Sequence, residues 1–362
     1  MSQKHLMKGN EALAEAAIRA GMKGYFGYPI TPQSELLEYL SVHLNNRGGS
    51  FVQAESEIAA INMVYGAAGI GERAMTSTSS PGFSLMQECI SYIACAELPC
   101  LLVNIVRGGP GLGTIQPSQG DYFQAVKGGG HGDYKLIVLA PNSVQEMADF
   151  VYLGFDLADK YRNPVLILSD GALGQMMEAV KFPDYDIEAH KVDKSEWATT
   201  GNATGTHKVI TSLYIKTEKM EEVNLKLQAK YREIQEKEVR YETVETEDAD
   251  LVIVAFGLSA RVAHKAVDIC REQGMKVGLL RPKTLFPFPK DQIKSLAEQV
   301  DQMLVVEMNA GQMLEDVQLN VSGKIPVEFY GRMGGLIPTP DEIVNKIKSM
   351  YEQYNPMEVT HV

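Results

Sequence analysis

The sequence predicts an α/β protein whose parallel sheets are covered by helices on both faces. Short runs rich in β-branched residues, such as CLLVNIV at 100–106 and PVLILSD at 164–170, alternate with helical patterns. These runs are apolar throughout, which is typical of strands buried on both faces. A second series of the same kind begins near residue 249. Two α/β units are therefore expected.

The first unit contains six predicted strands and five predicted helices. The strands are predicted at 23–29, 50–55, 73–80, 100–106, 135–141 and 164–171. The helices are predicted at 10–21, 32–44, 57–71, 81–97 and 143–161. Each helix shows apolar residues at helical spacing, and Gly21 is a typical helix end. Ligands of such sheets bind at the carboxyl ends of the strands.

Residues 181–248 interrupt this alternation and predict a linker with a charged amphipathic helix. The segment is polar and rich in turn formers, then highly charged, with one apolar stripe of Val223, Leu227, Tyr231 and Ile234. The second unit has predicted strands at 250–257, 275–282, 303–309 and 326–331, and helices at 259–274, 290–300, 311–323 and 340–354. The predicted domains are thus 1–180, the linker 181–248, and 249–362.

Charge and cysteine content exclude several classes of protein. The 362 residues carry a net charge of -12 and no basic cluster, so no nucleic-acid partner is predicted. No apolar run approaches a membrane span and the N-terminus lacks a signal core, so no membrane association and a cytoplasmic location are expected. The 4 cysteines form no CxxC pair. If the chain takes part in electron transfer, its metal centre is therefore expected on another chain.

The stretch GYPITPQSE at 27–35 has two compatible interpretations. Thr31 is a favourable N-cap residue and Pro32 suits the first helical position, so the stretch predicts a helix start. The loop also leaves the carboxyl end of a strand, where a Thr31 hydroxyl or a backbone group could face a ligand. Both interpretations stay open on the residues alone.

Glu57 and Arg107 also have alternative interpretations. A carboxylate at a helix N-terminus favours the helix dipole, but Glu55 could serve the same purpose. If Glu57 instead lies in an apolar pocket, it could share a proton with a ligand nitrogen. Arg107 follows a strand and precedes a loop of Gly, Pro, Ser and Gln. It could bind a carboxylate bidentately or be a solvated arginine at a loop.

Four motifs together resemble the α subunit of the 2-oxoacid:ferredoxin oxidoreductases. They are GYPITPQSE, ESEIAAINMVYGAA, STSSPGFSLMQE and NIVRGGPGLGT, in the order and spacing of that family. The resemblance covers nearly the whole chain. It implies a thiamine diphosphate-binding fold with a pyrimidine-type domain, followed by a transketolase C-terminal-like domain. The loop at 111–134 resembles the branched-chain (2-oxoisovalerate) enzymes and departs from the GPSTGLPT-like loop of the 2-oxoglutarate enzymes.

The resemblance implies a role for each matched residue. Glu57 corresponds to the glutamate that hydrogen-bonds N1′ of the thiamine aminopyrimidine. Thr31 lies in the YPITP motif beside substrate and cofactor, so Tyr28, Pro29, Ile30 and Thr31 are predicted to contact the cofactor. Arg107 corresponds to an arginine near the substrate carboxylate. Glu57, Arg107 and Thr31 are therefore the predicted catalytic residues.

The resemblance also implies that this chain supplies half of a site. A GDG motif followed by Asn would hold the diphosphate through Mg²⁺, but only SDGALG at 169–174 comes near it and is interpreted as a turn. No metal ligand is predicted in this chain. Mg²⁺ and [4Fe-4S] clusters are expected on partners: a beta subunit that binds diphosphate and Mg²⁺, a gamma subunit, and a ferredoxin-like delta subunit in some assemblies. Ferredoxin and coenzyme A are the expected electron acceptor and cosubstrate.

Three functions follow in order of preference. The first is oxidative decarboxylation of a branched-chain 2-oxoacid, 2-oxoisovalerate, to acyl-CoA and CO2. The second is the same reaction with 2-oxoglutarate. The third, from another class, is a non-catalytic assembly subunit, for which a carboxylate at Glu57 facing an apolar pocket would have no purpose.

Overall fold

The computed structural model describes residues 4–201 and 207–354. The predicted outer domain limits at 1 and 362 and a part of the predicted linker lie outside these residues. The strands are β1 (Lys4–Lys8), β2 (Gly24–Gly27), β3 (Ser50–Gln53), β4 (Ala74–Thr78), β5 (Cys100–Val106), β6 (Ile137–Leu139), β7 (Pro164–Asp170), β8 (Met177–Lys181), β9 (Tyr241–Val244), β10 (Leu251–Val254), β11 (Val277–Pro282), β12 (Thr284–Phe286), β13 (Gln302–Glu307) and β14 (Val327–Gly331). The helices are α1 (Gly9–Arg19), α2 (Ser34–His43), α3 (Glu57–Gly69), α4 (Ser80–Cys95), α5 (Tyr122–Val126), α6 (Val144–Tyr161), α7 (Gly171–Gln175), α8 (Thr217–Lys237), α9 (Gly257–Glu272), α10 (Lys290–Leu296), α11 (Gln312–Val321) and α12 (Pro340–Tyr354).

The first sheet has seven strands in the order β12-β6-β7-β5-β4-β2-β3. All neighbours are parallel except β12, which pairs antiparallel with β6. β4, β5 and β7 are buried along their whole length, as the continuous apolar runs predict. The carboxyl ends of β3, β2, β4 and β5 therefore meet at one edge of this sheet.

The second sheet has five strands in the order β14-β13-β10-β11-β9, with only β9 antiparallel. Alternate residues point to opposite faces of its strands. On β10, Leu251 and Ile253 pack against a core that includes residues of α9 and α12. Val252 and Val254 face the other way and join the large core of the first sheet. The two units therefore share one hydrophobic core.

The structure confirms the predicted α/β architecture and adds elements that local pattern does not reveal. β1 and β8 form a separate antiparallel ribbon. β12 comes from the predicted second unit but joins the first sheet. α8 places Leu227, Tyr231 and Ile234 in the large core, as its apolar stripe predicts. The domain boundaries themselves stay a prediction.

Two local predictions are wrong. α2 begins at Ser34 with Gln33 at its N-cap, and not at Thr31 and Pro32. Gln33 is fully buried, and its side chain donates to the Tyr28 carbonyl and accepts from Ser77 Oγ. Because these hydrogen bonds fix Gln33 outside the helix, the helix begins only at Ser34. In the SDGALG segment, Ser169 and Asp170 end β7, and a short helix, α7, follows from Gly171 in place of the predicted turn.

Cysteine and hydropathy expectations can be compared with the described residues. The four cysteines are free thiols, and Cys89, Cys100 and Cys270 are buried. None of the helices in the described part of the chain combines the length and the apolar character that crossing a membrane requires.

Arg281 forms a buried ionic link between the two units. It lies on β11 with 2% of its surface exposed. Its guanidinium donates to both carboxylate oxygens of Glu146 on α6, at 2.7 and 2.8 Å, and to Glu242 on β9. A buried charge is tolerated in the folded protein when all of its hydrogen bonds are made. Removal of that charge leaves its partners unpaired and lowers the free energy of unfolding.

We expect Arg281→Ala to lower the free energy of unfolding by about 3 kcal/mol, because Glu146 loses two short hydrogen bonds to the guanidinium in a poorly solvated place and keeps the longer pair with Lys283. Urea denaturation followed by circular dichroism measures this. The control is Arg261→Ala, which removes a more exposed pair with Glu178 and should cost less than about 1 kcal/mol. Equal losses in the two variants would contradict the importance of the buried link.

Candidate active site

The predicted site residues gather at the carboxyl edge of the first sheet. The turn at 28–33 follows β2, Glu57 follows β3, Ser80 follows β4, and Arg107 follows β5. These four strands are neighbours in the order β5-β4-β2-β3. Parallel strand order therefore brings together residues that are far apart in the sequence.

A buried amide side chain from another part of the chain fixes the turn after β2. Tyr28 and Thr31 are exposed, Ile30 is half-buried and Pro32 is buried. Asn10 Nδ2 donates to the Pro32 carbonyl at 2.8 Å. The turn is thus fixed while Tyr28, Pro29 and Thr31 stay on the surface.

Glu57 is a buried carboxylate at the start of α3. Its side chain is 5% exposed, whereas Glu55 is exposed. The helix is capped by Ser56, whose Oγ accepts from the Ala59 N–H at 3.1 Å. Within the described residues, no hydrogen bond or ion pair reaches the Glu57 carboxylate. A buried carboxylate is costly unless a partner satisfies it, so Glu57 is free to bind a ligand donor.

Gly82 lets the Glu57 carboxylate pack directly against the start of α4. A Cβ atom at Gly82 would lie 2.5 Å from Glu57 Oε1 and 2.1 Å from Thr78 Oγ1. Thr78 Oγ1 is itself buried and has no hydrogen-bond partner among the described residues. Only glycine therefore fits at this position without displacing the carboxylate.

Arg107 is a buried cation without an anionic partner. The residue is 9% exposed. Its Nη1 donates to the Thr31 carbonyl and its Nη2 to the Leu112 carbonyl, both at 3.0 Å, while Nε is buried and unpaired. No carboxylate forms an ion pair with it in the part of the chain that the structure describes. It joins the two loops and retains N–H donors for an anion.

Glu57 and Arg107 line the same cleft. This cleft has a volume of about 440 Å³. Apart from this pair, the lining consists of Ile30, Pro81, Gly82, Leu85, Leu112, Gly113, Thr114 and Ile115. The structure therefore brings together Glu57, Arg107 and Ile30, while Tyr28, Pro29 and Thr31 are not among the lining residues. The roles predicted for all six residues stay predictions.

A second cleft of about 430 Å³ lies on the other side of Arg107, between the two units. Its walls include Ser80 and Asp121 from the first unit and Asn309 and Gln312 from the second. Burial raises the pKa of Asp121 above its usual value, although Asn104 donates to its carboxylate at 2.8 Å. The cleft therefore contains an acid that holds its proton to higher pH than an ordinary aspartate.

Gln119 anchors the Arg107 loop to the second unit through a fully buried hydrogen-bond network. Its side chain donates to the Phe256 carbonyl at 2.8 Å and accepts from Ser259 Oγ and the Met308 N–H. Its backbone bonds to Met308 and Asn309. All polar groups of Gln119 are thus used to fix the loop.

Glu307 extends this hydrogen-bond network through Asn309. It is fully buried at the end of β13 and accepts from Asn309 Nδ2 and from the backbone N–H groups of Met313 and Leu314. Burial raises its pKa to about 7 despite these donors. Glu307 therefore orients Asn309, which in turn holds the carbonyl of Gln119.

The first cleft fits the aminopyrimidine end of thiamine diphosphate. A heteroaromatic ring with an N–H would find in this cleft the unsatisfied carboxylate of Glu57 and the apolar side chains of Ile30 and Leu85. No group of three His, Cys, Asp or Glu side chains suited to a metal ion occurs among residues 4–201 and 207–354. The location of the Mg²⁺ site stays a prediction.

An apolar cleft with a buried carboxylate and an arginine, at the carboxyl edge of a parallel sheet, is typical of the ligand site of an α/β enzyme. Residues 15–247 match the model of the thiamine diphosphate-binding domain of pyruvate flavodoxin/ferredoxin oxidoreductases. Residues 249–343 match core domain II of pyruvate:ferredoxin oxidoreductase. The chain belongs to the 2-oxoacid:ferredoxin oxidoreductase family, and the predicted family, fold and enzyme class are confirmed.

Relatives agree with this assignment. The ketoisovalerate oxidoreductase subunit VorB of Methanothermobacter marburgensis is 52% identical, over 97% of this chain and 99% of the relative. The 2-oxoglutarate synthase subunit KorA of the same organism is 39% identical, over 97% of this chain and all of the relative. The predicted likeness to the branched-chain enzymes is confirmed. Both names describe subunits, so the chain belongs to a multi-subunit enzyme.

Solved structures show the same fold. A 2-oxoglutarate:ferredoxin oxidoreductase from Magnetococcus marinus, with 2-oxoglutarate, coenzyme A and succinyl-CoA bound, matches with a TM-score of 0.87 and 31% identity. The match covers 96% of this chain and 65% of that chain. A split gene transketolase matches with a TM-score of 0.59 and 14% identity and supports the fold alone.

Sequence reasoning missed the residues that hold the site in place. Gln119 lies in the loop that resembles the branched-chain enzymes, but its partners Ser259 and Met308 are 140 and 189 residues away. Glu307 ends an apolar strand run that predicts only a buried strand. No local pattern distinguishes either residue from a surface polar residue.

Glu307→Gln should flatten part of the pH dependence of stability. In the wild type, folded Glu307 keeps its proton up to about pH 7 and the unfolded chain releases it near 4.5. The free energy of unfolding should therefore fall by roughly 3 kcal/mol between pH 4.5 and 7 through this group and stay constant above pH 7.

Urea unfolding of wild type and Glu307→Gln at several pH values measures this contribution. The exposed Glu247→Gln variant controls for the loss of one surface charge. A difference between wild type and Glu307→Gln that does not change between pH 4.5 and 7 would contradict the raised pKa.

Proposed function

We propose that this chain is the alpha subunit of a heteromeric enzyme that oxidatively decarboxylates 2-oxoisovalerate to an acyl-CoA and CO2 and reduces ferredoxin. The observation that carries the proposal is that Glu57, whose carboxylate has no partner, and Arg107, which has no anionic partner among the described residues, share one mostly apolar cleft. The likeness to the ketoisovalerate oxidoreductase subunit supports the choice of substrate.

Glu57 binds N1′ of the aminopyrimidine ring in this proposal. When bound, thiamine diphosphate supplies the nucleophilic carbon and the electron sink that decarboxylation of a 2-oxoacid requires. The Glu57 carboxyl group holds or accepts one proton at N1′, and the apolar neighbours Ile30 and Leu85 keep water from competing for it. Gly82 leaves room for the Glu57 carboxylate itself.

Arg107 binds the carboxylate of the 2-oxoacid and orients it. Two of its N–H groups already fix the loops at Thr31 and Leu112, so the guanidinium is held in place before substrate arrives. This preorganisation saves the entropy of ordering a long side chain at the moment of binding. Tyr28, Pro29 and Thr31 form the exposed rim at which a partner chain closes the site.

The partners follow from what the proposal requires beyond this chain. A beta subunit supplies the Mg²⁺ and diphosphate half of the site. A gamma subunit, joined in some assemblies by a ferredoxin-like delta subunit, completes the complex, and the partner subunits carry the [4Fe-4S] clusters. Coenzyme A takes the acyl group. The coenzyme A bound to the Magnetococcus marinus relative supports this cosubstrate.

Glu57→Gln tests the proposed function directly. We expect 2-oxoisovalerate-dependent viologen reduction by the complex purified through this chain, with coenzyme A and thiamine diphosphate, to fall by about 100-fold or more. Gln keeps the size of Glu57 but has no acidic proton. Glu55→Gln, two residues away and exposed, should retain wild-type activity.

Subunit content by size exclusion must match between Glu57→Gln and the wild type. Unchanged activity in an intact Glu57→Gln complex would reject the catalytic role and favour an assembly subunit. Activity with 2-oxoglutarate alone would keep the mechanism and reject the branched-chain substrate.

Arg107→Lys should raise the KM for 2-oxoisovalerate by about 10- to 100-fold, the loss expected when a charged hydrogen bond is removed. Lysine keeps the charge but cannot bond to Thr31, Leu112 and a carboxylate with a planar fork. Steady-state kinetics measures KM, and the KM for coenzyme A should change less. An unchanged KM for the 2-oxoacid would contradict the assignment.

A further inference from the structure

The wall of the Glu57 cleft is unusually apolar for a site that binds an anion. Glu57 and Arg107 are the charged residues among its described lining, and Ile30, Leu85, Leu112 and Ile115 are its large apolar residues. Arg107 therefore offers one positive charge, enough for one carboxylate. Any second charge on a substrate would meet hydrocarbon.

Leu112 and Ile115 stand out because they are exposed although their loop is fixed. Their exposed fractions are 81% and 56%. Large apolar side chains held in the open, next to a cleft, mark binding surfaces. The two residues lie three positions apart on the loop between β5 and α5.

The backbone of this loop is closed onto its own start. The Thr114 N–H donates to the Gly108 carbonyl at 2.8 Å. Gly113 has φ of +63°, and a Cβ there would lie 1.9 Å from the same carbonyl oxygen. A side chain at 113 is therefore not accommodated, and the positions of Leu112 and Ile115 are set by the backbone.

Arg107 is coupled to this apolar wall through the Leu112 carbonyl, which accepts from Nη2 at 3.0 Å. The group that binds the carboxylate and the side chain that meets the rest of the substrate are thus held at a fixed separation. A substrate must therefore fit Arg107 with its carboxylate and Leu112 with its side chain at the same time.

We propose that Leu112 and Ile115 select the side chain of the 2-oxoacid, favouring a branched alkyl group and rejecting a second carboxylate. An alkyl side chain gains burial against Leu112, Ile115 and Leu85. The distal carboxylate of 2-oxoglutarate would lose water there and gain no cation from the described lining. This selection rests on the proposed function, because it requires that Arg107 binds the substrate carboxylate.

The test uses the complex purified through this chain, with wild type, Leu112→Ala, Leu112→Lys and the control Leu319→Lys. Leu319 lies on α11, is 72% exposed and lines neither cleft. The kcat/KM for 2-oxoisovalerate, pyruvate and 2-oxoglutarate is measured by viologen reduction at saturating coenzyme A. Size exclusion reports subunit content.

Leu112→Ala should lower kcat/KM for 2-oxoisovalerate by about 10-fold or more, the range for lost apolar contacts in a pocket, and affect pyruvate by less than about 3-fold. Leu112→Lys should raise the ratio of 2-oxoglutarate to 2-oxoisovalerate activity by about 10-fold or more, since it supplies the missing cation. Leu319→Lys should leave all three values unchanged.

Three other results would overturn the selection. Equal losses for the three acids with intact complexes would mean that Leu112 only positions Arg107. Loss of subunits in both Leu112 variants would mean that it binds a partner chain. Wild-type ratios in both variants would mean that other residues select the substrate. In contrast, a wild-type complex that fails to reduce viologen with any of the three 2-oxoacids overturns the proposed function itself.

Discussion

The geometry of the site depends on the complete engagement of Gln119 by the second unit. Its backbone and its side-chain amide together bond to Phe256, Ser259, Met308 and Asn309. A buried amide that is fully satisfied contributes specificity, because any displacement leaves several polar groups unpaired. The second unit therefore does more than stabilise the chain. It fixes one end of the loop whose other end is Arg107.

With both ends held, the loop from 108 to 118 has few conformations left. β5 determines the position of Arg107, and Gln119 determines where the loop returns. The guanidinium then joins Thr31 on one side and Leu112 on the other. The turn after β2 is tied in turn to α1 by Asn10. Buried amides thus fix the backbone of these loops. The loop backbone in turn fixes the side chains that are exposed at the rim of the cleft.

Sequence pattern predicts the sheets and much of the site, since both follow from local composition and strand order. Continuous apolar runs identify β5 and β7, and Glu57 is conspicuous before a run of small and apolar residues. The local pattern wrongly predicts a helix cap at Thr31, because a hydrogen bond from Ser77, 44 positions away, holds Gln33 in the core. Local pattern cannot predict the Gln119 network for the same reason, since its contacts are set by the docking of two units.

Glu57 and Arg107 together show what the chain alone leaves unsatisfied. Both are nearly buried, and no ion pair joins them or satisfies either one among the described residues. Burying unpaired charges costs stability, and the chain offsets this with a core that runs through both units. In the proposed function, thiamine diphosphate brings a ring nitrogen to Glu57 and the 2-oxoacid brings a carboxylate to Arg107, so the two ligands together remove both penalties. The free energy that folding spends at this edge of the sheet is thus recovered on binding, which favours the complex in which both groups are satisfied over one in which only one of them is.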